Sequence, residues 1–515
     1  MQIDPTTGNL VKKIILKILK YGLIVIGLIL SIILLLYVYP IAEPLRQKTD
    51  TNDYIISNIN IIDVANDSII TNQSVYIKND RIVKVTSKDS ILKNDHIKII
   101  DGKGKYALAG LWDMHSHLAF QIAPQVIMPL HIANGVTYIR DMQGIVNINK
   151  ERIQWRKEID SEELLGPRLI GFADEIVGAN YDEQNVFELV NRTAKDSQTF
   201  IKIYSGILPD RYFPLAEEAK KQGVVFAGHY PNAINPIDAS NAGQRSFEHA
   251  HLFLKHANPL AKKNRQYYQA LYSDEEVDED DRPSPIDMLA SFDYQKFYEL
   301  VDTMVKNNTY FCPTHITRKY EAFANDKVFL DDANLKYIPH LVSLIWKDDI
   351  SQMKEYVEVE GNQQYLEDFY LKGLELTGLA HEKGVNILAG TDSYDPYSFP
   401  GISLHSELEE LVKAGLSPAE ALKSATIIPA EYFNVSEMYG TIAENKIADL
   451  LILDKNPLED IKNTTSIESL FFNGNLYEKE DIDNMKLYVE NNASGINGLS
   501  ISVKMFFRLM KDNRH

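Results

Sequence analysis

Residues 21–39, YGLIVIGLILSIILLLYVY, form an uncharged apolar run of 19 residues. At 1.5 Å per residue a helix over this run reaches about 28 Å, close to the hydrocarbon thickness of a bilayer. Tyr21, Tyr37 and Tyr39 stand at its ends, where amphipathic rings favour the membrane interface, and Pro40 closes it. A soluble helix would show a polar face, which this run lacks. A cleaved signal peptide would have a shorter apolar region and a small-residue cleavage site, and residues 40–43 (PIAE) make a poor one. The pattern predicts an uncleaved transmembrane helix. Lys12, Lys13, Lys17 and Lys20 precede it, whereas Arg46 and Lys48 beyond it are offset by Glu43 and Asp50. That asymmetry predicts a single-pass membrane protein, with residues 1–20 cytoplasmic and the remaining chain periplasmic or extracellular. The stretch 501–510 is too short to span and carries Lys504 and Arg508.

After a short polar linker, 41–53, the periodicity turns β-like: YIISNINIIDV, QSVYIKNDRIVKV and HIKIIDGKGKYALAG, broken by Asn, Asp and Gly turns. A similar pattern returns in KIADLLILDKN and SLFFNGNLY. These blocks, 54–108 and 435–480, predict one small β-sandwich domain built from both ends of the chain, with 481–515 as a carboxy-terminal extension. Between them, residues 109–434 alternate strand-like and helix-like runs. Candidate strands are 106–111, 136–140, 168–171, 200–204, 224–227, 246–248, 310–312 and 386–389. Eight strands with helices between them predict an α/β fold, a closed (β/α)8 TIM barrel. An open doubly wound sheet would carry a Gly-rich phosphate turn after its first strand, and none is present. A barrel enzyme should place its functional residues at the carboxyl ends of its strands.

The chain has 515 residues, 53 Lys plus Arg against 72 Asp plus Glu, and a formal charge of −19. Such an acidic chain repels phosphate backbones and argues against a nucleic-acid partner. One cysteine, Cys312, excludes an intramolecular disulfide. The segment 274–281, DEEVDEDD, reads as a solvated surface loop between the sixth and seventh strands. Nothing in the pattern specifies an oligomeric state.

His115 and His117 follow the first barrel strand. In extended chain, residues i and i+2 point the same way, so both imidazoles can face one metal ion. Alone, the spacing suits surface histidines as well. Lys202, His229, His249 and Asp392 belong to strands four, five, six and eight, each at the same end. Five strands thus bring titratable or metal-capable side chains to one mouth.

The chain here resembles the amidohydrolase superfamily, and within it the imidazolonepropionase-like and Xaa-Pro dipeptidase-like enzymes. The resemblance is carried by IIDGKGKYALAGLWDMHSHL (99–118), GVTYIRDMQG (135–144), GPRLIG (166–171), FIKIYSG (200–206), AGHY (227–230), AGQRSFEHAHL (242–252), ILAGTDS (387–393), GISLHSELEELVKAGLSPAEALKSAT (401–426) and IADLLILDKNPLEDI (447–461). It implies a first divalent metal on His115, His117 and Asp392, a second on His229 and His249, and a bridging Lys202. A lysine ammonium has no lone pair to give, so the resemblance implies that carbon dioxide converts Lys202 into a carbamate. Two zinc ions would then lower the pKa of a shared water toward ~7, and the resulting hydroxide would attack a carbonyl. Asp392 would be the catalytic base and then the acid.

His251 lies two places after His249, so spacing alone does not choose between them; the Glu-His pattern of the resembled family implies His249 as the ligand. Tyr230 and His315 are candidate substrate contacts, Arg140 and Asp141 a supporting pair at strand two, and His405 a structural residue. VGANYDEQN, after strand three, lacks the Gly-Gly-His frequent in relatives, and Asn445-Lys446 stands where Gly-Lys is usual. The expected activity is hydrolysis of an amide or other carbon–nitrogen bond in a small molecule, such as a dipeptide ending in proline or a cyclic amide. The alternatives are a mononuclear deaminase or lactonase on the same barrel, and a catalytically silent membrane-anchored binding protein.

Overall fold

The computed structural model describes residues 5–49, 53–87, 97–118, 120–143, 148–179, 181–196 and 198–512. Residues 1–4, Asp50, Gly144 and Asn180, all within stretches discussed above, lie outside them.

Seven parallel strands form the barrel: β1 (Leu111–Ser116), β2 (Val136–Asp141), β3 (Arg168–Val177), β4 (Thr199–Ile203), β5 (Phe226–His229), β6 (Ser246–Glu248) and β7 (Tyr310–Cys312). Each pairs with the next in sequence. The predicted eighth strand is present as an extended segment. Phe311 bridges to Ile387 and Ser116 to Ser393, while Met114 N–H donates to Ala389 C=O at 2.9 Å. Residues 386–393 thus link β7 to β1. No regular ladder forms there, because Asp392 turns into the left-handed region at φ +57°. Gly390 precedes it where a Cβ would lie 2.5 Å from Cys312 Sγ and 2.7 Å from His115 N.

One predicted strand divides in two. Residues 106–111 were expected to open the barrel, but Tyr106–Ala109 belongs to the other sheet, antiparallel to Leu450–Leu453. The barrel strand begins at Leu111. The break falls at Gly110, where a Cβ would run into the Thr137 side chain.

The two β-rich ends of the chain do join. Instead of two separate sheets, they make one continuous eight-stranded sheet. In it Asp53–Asp63 pairs parallel with Ile97–Asp101 along its first half and with Tyr106–Ala109 further on. The side-chain alternation of a strand explains how this sheet serves two cores. Leu450 and Ile452 point into the sheet's own core with Ile61, Ala107 and Phe471. Leu451 and Leu453 point into the barrel core with Ile62, Leu108, Leu470 and Phe472.

The amino-terminal helix runs Pro5–Val38, and its part Ile14–Val38 is long and apolar enough to cross a membrane, with no residue of its most apolar stretch buried in the protein. The segment expected to be a polar linker is docked. Ile41 and Leu45 pack on the barrel core, Leu45 C=O accepts from Leu165 N–H at 2.7 Å, and Gln47 Nε2 donates to Ile159 and Leu164 C=O. The carboxy-terminal extension comprises two helices, Lys479–Ala493 and Gly495–Asp512. The first buries Ile482, Met485 and Val489 in the barrel core. The acidic segment 274–281 lies at the surface.

Candidate metal centre

Side chains at the carboxyl ends of β1, β4, β5 and β6, and of the segment 386–393, converge as the sequence predicted. Asp392 is the hub. Its Oδ1 lies 2.8 Å from His117 Nε2 and 3.1 Å from His115 Nε2, and its Oδ2 lies 3.4 Å from His249 Nδ1. His249 Nε2 lies 3.1 Å from His229 Nε2. The ring centroids of His115 and His249 are 5.0 Å apart and those of His229 and His249 4.6 Å. Lys202 is buried within electrostatic reach of His115, His117, His229 and Asp392.

Each of the four histidines is held through Nδ1. His115 Nδ1 meets Glu248 Oε2 at 3.0 Å, and His117 Nδ1 meets Gln143 Oε1 at 2.7 Å. His229 Nδ1 meets Ser205 Oγ at 2.8 Å, and His249 Nδ1 meets Thr314 Oγ1 at 2.9 Å. A partner on one ring nitrogen sets the tautomer and orientation and leaves the other nitrogen for a ligand. All four Nε2 atoms are turned toward neighbours within the cluster. Glu248 is itself fixed by a two-pronged ion pair from Arg140 Nη2, at 2.8 and 2.9 Å, and by the Ser246 hydroxyl.

Burial decides the charges. It pushes the imidazolium pKa down at His117, and well down at His229 and His249, so these rings are neutral and carry lone pairs. Burial acts the same way on His115, but the Asp392 and Glu248 carboxylates outweigh it and raise its pKa. Asp392 is desolvated too, yet His115, His249 and His117 hold its carboxyl well below the usual range. Burial pushes the Lys202 ammonium down against the pull of Asp392 and Glu248. Three residues here adopt positive φ without being glycine: His249 (+71°), Thr314 (+47°) and Asp392 (+57°). Such conformations cost on the order of 1–3 kcal/mol each and persist where surrounding structure imposes them.

The donor set fits a divalent cation. His115, His117 and Asp392 offer ligand atoms within 4.8 Å of one another, and the fully buried His115 Nε2 faces Asp392 Oδ1. Neutral imidazole and carboxylate suit zinc and its neighbours.

The remaining expectations fare differently. His249 lies in the cluster, whereas the ring of His251 stacks behind it at 5.7 Å. Tyr230 is buried, and its hydroxyl has no hydrogen-bond partner among the described residues. His315, the other expected substrate contact, opens the helix that follows β7. It is fully buried, its Nε2 meets Thr377 Oγ1 at 3.0 Å, and its backbone N–H donates to Glu407. Its predecessor Thr314, at positive φ, meets His249 Nδ1. Arg140 and Asp141 do not pair with each other. As neighbours on one strand they point to opposite faces, Arg140 to Glu248 and Asp141 to Arg152. His405 is structural, bonded to Thr464 and to Asn134 C=O.

Glu248, Gln143, Ser205 and Thr314 were not singled out from the sequence. Glu248 had a signal, an acidic residue ending a three-residue buried strand. The other three are common polar types whose role comes only from proximity to a histidine.

A parallel barrel with imidazoles and a carboxylate gathered at its mouth defines a class of metal-binding hydrolase folds. The amidohydrolase family model matches residues 106–477, and the chain belongs to that family. Among curated proteins it is 37% identical to ochratoxinase of Aspergillus niger over 101 residues, 19% of each chain. It is 36% identical over 83 residues to a 5-methylthioadenosine/S-adenosylhomocysteine deaminase of Halothermothrix orenii, 15% of this chain and 19% of that one. The matches thus span about a fifth of the length of these relatives. Among solved structures, bottromycin amidohydrolase aligns at TM-score 0.65 and 16% identity, covering 86% of this chain and 91% of that one. A Xaa-Pro dipeptidase with bound methionine aligns at 0.58 and 20%, covering 83% and 100%. The ochratoxinase of A. niger aligns at 0.56 and 18%, covering 84% and 96%.

Proposed function

We propose that the chain is a membrane-anchored hydrolase that uses two divalent metal ions, zinc by preference, to cleave an amide or other carbon–nitrogen bond of a small molecule outside the cytoplasm. The observation that carries this reading is the shared orientation of four histidines, each supported at Nδ1 and presenting Nε2 to the cluster. His115, His117 and Asp392 would hold one metal and His229 and His249 the other, with Lys202, as a carbamate, supplying a further oxygen ligand. Burial favours the uncharged amine of Lys202, the form that adds to carbon dioxide; the proton released goes to solvent, and the product offers two carboxylate-like oxygens.

When bound, divalent cations supply Lewis acidity toward a carbonyl and acidify water. Asp392, kept ionised, accepts a proton at its carboxylate and passes it to the departing nitrogen. The Tyr230 hydroxyl, buried and with a free donor, is available to a substrate oxygen. The likeness to a Xaa-Pro dipeptidase supports a dipeptide as one substrate class. The anchor reading and its orientation rest on the apolar helix and on the lysines before residue 21.

The test supplies purified full-length protein with zinc and bicarbonate and offers dipeptide and N-acyl amino acid libraries. Turnover that disappears in Lys202→Ala and in Asp392→Asn, with two metals per chain by elemental analysis, supports the proposal. The tight trio His115, His117 and Asp392 favours a second reading, a mononuclear deaminase or lactonase. One metal per chain with full activity would select it. Absence of both metal and turnover rejects both.

A further inference from the structure

The last helix, Gly495–Asp512, has three faces. At 100° per residue, Ile501 and Met505 fall together and are buried against the protein. On the opposite side Leu499, Phe506 and Met510 fall within about 40° of one another, with Ile496 and Phe507 beside them. All five are exposed: Phe506 by 49% and Leu499 by 45% of their surface. Five large apolar side chains on one strip, about 21 Å long at 1.5 Å per residue, exceed the scattered apolar residues of an ordinary surface. Leu344 and Ile345, on the neighbouring helix His340–Val357, extend the exposed apolar area.

The location of this strip says what covers it. Gly495–Asp512 packs on the outer end of the apolar amino-terminal helix. The Phe507 ring meets the Tyr37 ring edge-on, with centroids 5.4 Å apart. Ser500 Oγ donates to Tyr39 C=O at 3.2 Å, and Lys504 Nζ donates to the same oxygen. Tyr37 and Tyr39 are the rings that mark the membrane–water boundary of the anchor. A helix bound there, too short and too polar on one side to cross, has the pattern of one that lies in the interface.

We infer that the carboxy-terminal helix is a second membrane contact, lying along the outer leaflet with Leu499, Phe506, Phe507 and Met510 among the upper acyl chains. Lys504 then sits beside the headgroups, where its charge favours phosphate. The barrel is held at the bilayer by two elements, and its orientation there is fixed instead of swinging on a tether. This inference rests on the reading of residues 14–38 as a membrane span.

The test keeps the full chain. Cys312 is buried, so a single introduced thiol takes an environment-sensitive fluorophore. Phe506→Cys, Met510→Cys and, as a reference inside the span, Ile26→Cys are labelled and placed in vesicles of phosphatidylcholine and phosphatidylglycerol carrying brominated acyl chains. The expected result is blue-shifted emission and bromine quenching at 506 and 510, at a depth of about 5–10 Å, and stronger quenching by deep bromines at 26. Quenching at 26 with water-exposed emission at 506 and 510 overturns the inference and leaves the anchor standing. Blue-shifted but unquenched labels at 506 and 510 also overturn it, because a protein surface such as a second copy then covers the strip. Unquenched label at 26 overturns the anchor and this inference with it.

Discussion

The two ends of the barrel handle buried charge in opposite ways. At the amino-terminal end, Asp449 accepts from Arg168 Nε at 3.0 Å, Tyr138 Oη at 2.6 Å and Asn473 N–H at 2.6 Å. Aromatic rings close over this end: Trp112 stacks on Tyr138 at 4.3 Å, and Tyr439 meets both edge-on. Here a single carboxylate is satisfied by one guanidinium and two neutral donors. At the carboxyl end Asp392 has four imidazoles and a lysine around it, the Nε2 atoms of His229 and His249 face each other, and three backbone positions are strained. An arrangement that is complete without a ligand contributes stability. One that gathers neutral imidazoles around a carboxylate on strained backbone costs stability and offers the donor set for a cation.

That contrast can be broken from either end. The largest effect is expected at the mouth. Asp392→Asn should lower turnover by about 10²–10⁴-fold, the range for loss of a general acid–base, with only a smaller fall in the thermal midpoint of the metal-free protein, because the surrounding imidazoles hold this carboxyl ionised. Steady-state kinetics beside calorimetry reads both. Asp449→Ala should do the reverse. It leaves Arg168 buried without its carboxylate, which costs about 3–5 kcal/mol by denaturant titration, while metal content per folded chain is unchanged. Smaller effects come from the supporting hydroxyls. Ser205→Ala and Thr314→Ala should weaken metal affinity by about 10–100-fold by competition with a chelator, with stability changed by about 1 kcal/mol.

A last test, read only as a pH dependence, concerns the buried carboxyl of Glu407. Burial pushes Glu407 up to about 8, against the pull of the His315 and Ile316 N–H groups. Its folded pKa lies above its unfolded value near 4.5, so the native state binds the proton more tightly. The associated stability is complete below pH 4.5 and is lost as pH rises through about 8. Glu407→Gln should flatten the decline of the thermal midpoint between pH 5 and 8. An unchanged slope would assign that decline to other groups.

The candidate site was legible because its members are rare residue types tied to strand ends. His115 and His117 share a face by the i, i+2 rule, and His229, His249 and Asp392 follow recognisable runs. The supporting layer was not legible. Gln143, Ser205 and Thr314 are ordinary surface residue types in any composition, and only the distance to an imidazole gives them a role. His315 shows the same limit from the other side: adjacent in the chain to Thr314, which meets His249, it bonds to Thr377.

Local periodicity by itself determined the apolar amino-terminal helix, the parallel barrel and the joining of both chain ends, because each follows from which neighbours along the chain are apolar. Only the tertiary structure decided that Tyr106–Ala109 leaves the barrel for the sheet, that residues 41–49 dock as a strap, and that the last helix meets the first. Those outcomes depend on contacts between residues up to several hundred positions apart. Packing space and hydrogen-bond partners, not the order of residues, select among the pairings the pattern allows.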